Sequence, residues 1–63
     1  MSTLVRGTRL LAITDGVSCF SRDGRTWLGT IRFTSQGIMA THPSGVTTEN
    51  DEFSAALDWL KEF

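Results

Sequence analysis

The chain contains one cysteine, Cys19, in 63 residues, so no disulfide can form within it. Small secreted domains usually need two or more disulfides, and their absence here predicts a reducing, cytoplasmic environment. Long hydrophobic runs are also missing. The apolar run from Leu10 to Ile13, which follows Arg6 and Arg9, is too short for a signal-peptide core or a membrane span. We therefore expect a soluble protein without a membrane partner.

Residues that carry catalytic or metal chemistry are scarce. The chain has one histidine, His42, and one cysteine, Cys19, whereas a structural zinc site needs four Cys or His ligands. The chain has no GxxxxGK[ST], GxGxxG, HExxH or CxxC motif. We interpret Cys19 as a small half-buried strand residue and His42, directly before Pro43, as a surface turn residue. No enzymatic activity, catalytic residue, metal or cofactor is expected.

The residues that are present suit one small domain over 1–63, with 40% hydrophobic and 10% aromatic residues. Charge is separated along the chain. Residues 1–45 hold five arginines against two aspartates, a balance of +3, and residues 46–63 hold one lysine against five acidic residues, a balance of −4. A core this thin, without disulfides, favours a homodimer.

Spacing and turn signals predict the elements. Apolar residues recur at helical spacing from Phe53 to Phe63 after a possible N-cap at Asn50, which predicts a helix over 51–62. Turn signals at Asp23-Gly24, 34–37 and 42–45 bound three antiparallel strands, and residues 5–14 are a candidate fourth strand. The predicted fold is α+β, an antiparallel sheet of three or four strands with one C-terminal helix packed on one face.

The turns also predict which residues share a face of the sheet. A two-residue loop at Asp23-Gly24 pairs Phe20 with Trp27 and Cys19 with Leu28. The helix-facing side then carries six apolar residues: Phe20, Trp27, Ile31, Phe33, Ile38 and Ala40. The opposite, mixed side carries Val17, Cys19, Leu28, Thr30, Arg32, Met39 and Thr41. Three covers for this mixed side remain open: the N-terminal segment with Leu4, Leu11 and Ile13, a second copy, or a partner.

Two short patterns resemble known proteins. The stretch DGRTWLGTI from Asp23 to Ile31, with Gly37, Ala40 and the helical ALDWL from Ala56 to Leu60, is similar to small phage- and prophage-encoded proteins built from a β-meander and a helix. Most of those proteins have no assigned role, and those with one tend to bind and redirect a host protein. The resemblance implies an inhibitor or adaptor that binds a host protein.

The favoured function is a non-enzymatic protein-interaction module. Its expected contact surface is either the mixed sheet side, with Leu28, Arg32 and Met39, or the acidic helix side. The acidic residues of that second surface are Glu52, Asp58 and Glu62.

The alternative function is nucleic-acid binding by an arginine-bearing three-stranded sheet. The stretch RTWLGTI followed by EFSAALDWL is similar to plant AP2 domains and to the arm-binding domains of phage integrases. Arg22 and Arg25 flank the first predicted hairpin turn, and with Arg32 they are the candidate residues for contacts with nucleic acid. A net charge of −1 and the predicted placement of Trp27 in the core argue against it.

Overall fold

Six strands form one sheet in chain order, and a helix follows them. The structure is a computed structural model that describes residues 2–63. The elements are β1 (Ser2–Val5), β2 (Thr8–Ile13), β3 (Gly16–Phe20), β4 (Trp27–Thr34), β5 (Gly37–Thr41), β6 (Thr47–Asn50) and α1 (Phe53–Lys61). Every neighbouring pair of strands is antiparallel. The α+β class and the C-terminal helix on an antiparallel sheet are confirmed, but the predicted number of three or four strands is wrong.

The two additional strands have weak sequence signals. β1 is separated from β2 by a two-residue turn in which Arg6 has φ 52° and Gly7 has φ 76°. Such a turn favours Asn or Asp before glycine, so the arginine at this position removes the usual sequence signal of a hairpin. β6 has the sequence TTEN, which lacks an apolar alternation. It forms by pairing with β5, whose second edge would otherwise have no neighbouring strand. The pairs run from Thr41 with Thr47 to Ile38 with Asn50.

The helix begins later than its polar residues suggest. It starts at Phe53, its N-cap is Glu52, and no side chain caps it. Asn50, the predicted N-cap, instead pairs with Ile38 in the sheet. The apolar periodicity is nonetheless correct, since Ala56, Leu57 and Leu60 are the buried residues of α1.

A bulge at the start of β4 changes the predicted register. Phe20 pairs with Trp27 as predicted, but Cys19 pairs with Gly29 and not with Leu28. The extra residue in β4 reverses the alternation of side chains across the bulge. Phe20 and Trp27 therefore lie on the side away from the helix, and their predicted place in the core is wrong.

Beyond the bulge the predicted pairs are correct. Ile31 pairs with Ala40 and Phe33 with Ile38, on the side of the sheet that α1 covers. Phe33 stays 51% exposed at the margin, where its ring stacks on Phe53 with 6.1 Å between centroids.

The core lies between this side of the sheet and the helix. Its buried apolar residues are Leu10, Cys19, Ile31, Ala40, Ala56, Leu57 and Leu60, with Val5, Val17, Leu28, Ile38, Phe53 and Trp59 packed around them. Val17, Cys19 and Leu28, predicted on the mixed side, thus belong to the core, and Cys19 is fully buried. An ion pair of 3.2 Å between Arg6 and Asp58 joins the β1–β2 turn to the helix.

Candidate interaction surface on the open sheet face

The side of the sheet opposite the helix forms a continuous surface, which we call the open face. Because side chains alternate along a strand and paired residues point to the same side, the register identifies its members. From β1 to β6 they include Leu4, Arg9, Leu11, Ile13, Ser18, Phe20, Trp27, Thr30, Arg32, Met39, Thr41, Thr47 and Glu49.

The N-terminal segment extends the open face and does not cover it. β1 and β2 lie in the plane of the sheet at one edge, so the N-terminal segment is not the cover among the three alternatives left open for the mixed side. Leu4, Leu11 and Ile13 are 46%, 41% and 38% exposed, and α1 packs on the other side against β4, β5 and β6. Within residues 2–63, no other element lies over these side chains.

Trp27 is the largest side chain on the open face. It is 48% exposed, and its indole N–H donates a hydrogen bond of 3.0 Å to the hydroxyl oxygen of Ser18 on the neighbouring strand. This bond directs the ring across the sheet and not away from it. An isolated glycine within a strand pattern indicates a bulge, so Gly29 is the sequence signal that could have predicted this orientation.

The row that contains Arg32 crosses most of the sheet. Arg32 lies between Gly16 on β3 and Met39 on β5, and Met39 is paired with Glu49 on β6. Arg32 and Met39 are therefore on the open face, the side of the sheet that was predicted for them. Leu28, the third predicted residue, packs against the core because the bulge turns it to the helix side.

The acidic residues assigned to the helix do not form one surface. Glu52 precedes α1 and Glu62 follows it, so ten residues at 1.5 Å of rise separate them by about 15 Å. The Asp58 carboxylate accepts two hydrogen bonds of 3.2 Å from Arg6. This pairing reduces the field that the helix presents to a partner.

The predicted arginines are also separated. Arg22 and Arg25 lie in the loop between β3 and β4, where Arg9 donates to the carbonyl oxygen of Arg22 at 3.1 Å. Arg32 pairs with Gly16 and Trp27 with Phe20, four residues apart on β3, so Arg32 lies about 13 Å from Trp27 along the sheet.

Asp23 lies between these loop arginines. Its carboxylate accepts hydrogen bonds from the Ser21 hydroxyl and the Arg25 backbone, and these bonds lower the pKa of Asp23 below its usual range. The loop therefore carries a stable negative charge between two positive ones.

The residues considered for chemistry lie apart from the open face. Burial raises the pKa of the Cys19 thiol to about 11, which leaves it protonated at neutral pH. His42 stacks on Phe63 with 3.7 Å between ring centroids, and its Nδ1 is 2.8 Å from the Ser44 hydroxyl. In the described part of the chain, no three His, Cys, Asp or Glu residues are grouped so that they could hold a metal ion.

Comparison of the chain with protein-family models, with curated proteins and with solved structures gives no match. Among residues 2–63, no helix is both long enough and apolar enough to cross a membrane.

Proposed function

We propose that the chain is a non-enzymatic protein-interaction module whose contact surface is the open face. The observation that carries this proposal is the exposure of Leu4, Leu11 and Ile13, together with Trp27, on a sheet face that lacks a cover within residues 2–63. A phage-type inhibitor or adaptor role toward a host protein stays a prediction from the resemblance.

The energetics favour burial of this face by a protein. Removing apolar surface from water contributes about 25 cal/mol per Å², and large exposed apolar patches on monomers are often functional. Trp27 adds an aromatic side chain of the kind that is enriched at the energetic centres of protein interfaces. Its hydrogen bond to Ser18 fixes the ring before binding, which reduces the conformational entropy that a partner must overcome.

The test is affinity capture with a tagged chain in cells that also produce an untagged copy, read by mass spectrometry after nuclease treatment. This design detects both a second copy and a different protein. We expect the wild-type chain to retain one protein at near-stoichiometric yield. Leu11→Glu places a charge among the exposed apolar residues of β1 and β2 and should abolish this retention, because a partner would have to bury the carboxylate.

Val46→Glu is the matched control. Val46 is 48% exposed, yet it precedes β6 in a turn outside the open face. This variant should retain the same protein as wild type, and both variants should keep the wild-type far-UV circular dichroism. Equal retention by Leu11→Glu, or no protein retained by the wild-type chain, would contradict the proposal.

Single-stranded nucleic acid is the second candidate ligand of the open face, and one observation favours it. Trp27 is exposed on the same face as Arg9 and Arg32, whereas its predicted place in the core argued against nucleic-acid binding. Stacking of a base on an aromatic ring contributes about 1–3 kcal/mol, and arginines attract the phosphate backbone.

A fluorescence titration distinguishes this candidate. In a Trp59→Phe background Trp27 is the single tryptophan, and a bound oligonucleotide that stacks on it quenches its emission. Binding should weaken steeply with salt and should be reduced by Arg22→Ala and Arg25→Ala if the loop contacts phosphates. Unchanged Trp27 emission at all oligonucleotide concentrations would eliminate this candidate.

A further inference from the structure

We propose that the partner at the open face is a different protein that adds an extended segment of its own chain beside β1, as a further strand of the sheet. The segment carries apolar side chains at every second position. This inference rests on the proposed function and specifies the chemistry of the partner.

The outer edge of β1 presents backbone groups that have no partner within residues 2–63. β1 is the first strand of the sheet, and α1 packs only against β4, β5 and β6. Val5 and Thr8 close a two-residue turn, so this pair exchanges backbone hydrogen bonds. Because the pairs of an antiparallel ladder alternate, the next pair, Leu4 with Arg9, exchanges none, and the N–H and C=O groups of Leu4 point outward. Another extended backbone satisfies both groups, which is the chemistry of strand addition.

The other edge of the sheet is protected against such pairing. β6 carries Glu49 and is followed directly by Asp51 and Glu52. Charged side chains at an edge strand are a usual means by which proteins prevent pairing with another chain. Residues 3–5 of β1 have no charge, no proline and no bulge, although both edge strands are four residues long. The edge that is available for an added strand is therefore that of β1.

The exposed apolar side chains lie at the same edge. Leu4 is on β1, and Leu11 and Ile13 are on β2, the next strand of the sheet. An added strand would lie about 4.8 Å from β1, and every second side chain would point to the open face beside Leu4. Apolar residues at these positions bury Leu4, while the backbone hydrogen bonds fix the register of the segment.

A second copy of the chain is the less suitable occupant of this edge. Pairing of two β1 strands around a two-fold axis joins four residues of each copy, about 13 Å of strand. The two sheets then continue away from each other, so Leu11 and Ile13 stay exposed in both copies. Such a contact is small beside the roughly 800 Å² per partner of a stable interface. A different protein is free of this symmetry and can continue from its added strand over Leu11 and Ile13.

A random peptide display library selected against the immobilised chain tests the chemistry of the partner. The selected peptides should carry apolar residues at every second position, which is the period of a strand. NMR hydrogen exchange with a synthesised peptide of selected sequence then locates the contact. The Leu4 amide should exchange about 10-fold more slowly, or slower still, in the complex, because its N–H gains a partner.

Chemical synthesis of the chain allows a single backbone N–H to be removed. N-methylation of Leu4 keeps the side chain and should weaken peptide binding about 10-fold or more, because a hydrogen bond is lost and the methyl group obstructs the added strand. N-methylation of Glu49 is the matched control. The His42 N–H donates to the Val46 carbonyl oxygen at 2.8 Å, and alternation from this pair turns the Glu49 N–H outward on β6. The control should bind the peptide as the unmodified chain does, and far-UV circular dichroism should show both modified chains folded.

Apolar residues at helical spacing in the selected peptides, or the selection of no peptide, would overturn this inference. An unchanged exchange rate of the Leu4 amide, or equal binding by the two N-methylated chains, would overturn it as well. If the capture experiment retains a different protein that Leu11→Glu abolishes, these results leave the proposed function intact. Capture of the untagged copy also supports the proposed function and overturns the inference.

Discussion

Gly29→Ala tests the contact that holds the helix against the bulged strand. A methyl group built at Gly29 lies 2.4 Å from the carbonyl oxygen of Thr41 and 2.7 Å from Cδ2 of Leu60 on α1. The backbone oxygen cannot move without disturbing the pairing of β4 with β5, and Leu60 is buried. The substitution should therefore separate the helix from the sheet at this point.

The cost of Gly29→Ala has two parts. Gly29 has φ 145°, a conformation that costs a residue with a side chain about 1–3 kcal/mol. Insertion of a methyl group into a packed contact costs about 1–3 kcal/mol more. A chain of this length has a free energy of unfolding of about 3–9 kcal/mol, so a loss of about 2–6 kcal/mol removes most of its stability.

Urea unfolding followed by circular dichroism measures this loss, and Gly45→Ala separates its two parts. Gly45 has φ 98° but no atom within 4 Å of the added methyl group, so this control carries the backbone cost alone. The midpoint should fall clearly further for Gly29→Ala than for Gly45→Ala. Equal midpoints would refute the close approach of α1 to Gly29, and with it the register that turns Trp27 to the open face.

Three further predictions concern single side chains. Ile31→Ala should reduce the free energy of unfolding by about 2–5 kcal/mol, and Trp27→Ala should reduce it by less, because Ile31 is fully buried and Trp27 is half exposed. Urea unfolding of both variants checks this, and equal losses would mean that Trp27 is a core residue. The lowered pKa of Asp23 stabilises the folded chain above the unfolded value of 3.8, and this contribution disappears as the pH falls through the folded value; NMR titration should show a higher pKa for Asp23 in Ser21→Ala. Cys19 should resist alkylation at pH 8 and react after unfolding, because burial raises the pKa of its thiol to about 11; rapid alkylation of the folded chain would show that this residue is accessible.

Local patterns predicted much of the fold. The helix followed from apolar spacing, and the reversals at Asp23-Gly24, residues 34–37 and residues 42–45 followed from turn chemistry. These features depend on residues close together in the chain, so a sequence pattern is sufficient to predict them. The strands β1 and β6 were missed because each depends on pairing with a neighbour and not on its own composition.

The candidate surface was predicted only in part. Arg32 and Met39 lie beyond the bulge, where simple alternation holds, and both are on the open face. Trp27 was assigned to the wrong side because the prediction assumed an unbroken alternation through Leu28. Leu11 was treated as part of a possible cover, although it belongs to the face itself.

The sequence by itself determined the class of this protein: a helix after an antiparallel meander, with few residues suited to chemistry. The tertiary structure alone decided which surface remains open. A single extra residue in β4 exchanges the two sides of the sheet, since side chains alternate with a period of two. Gly29 marks the bulge in the sequence, but the close approach of Leu60 to Gly29 joins residues far apart in the chain, and no local pattern predicts that contact.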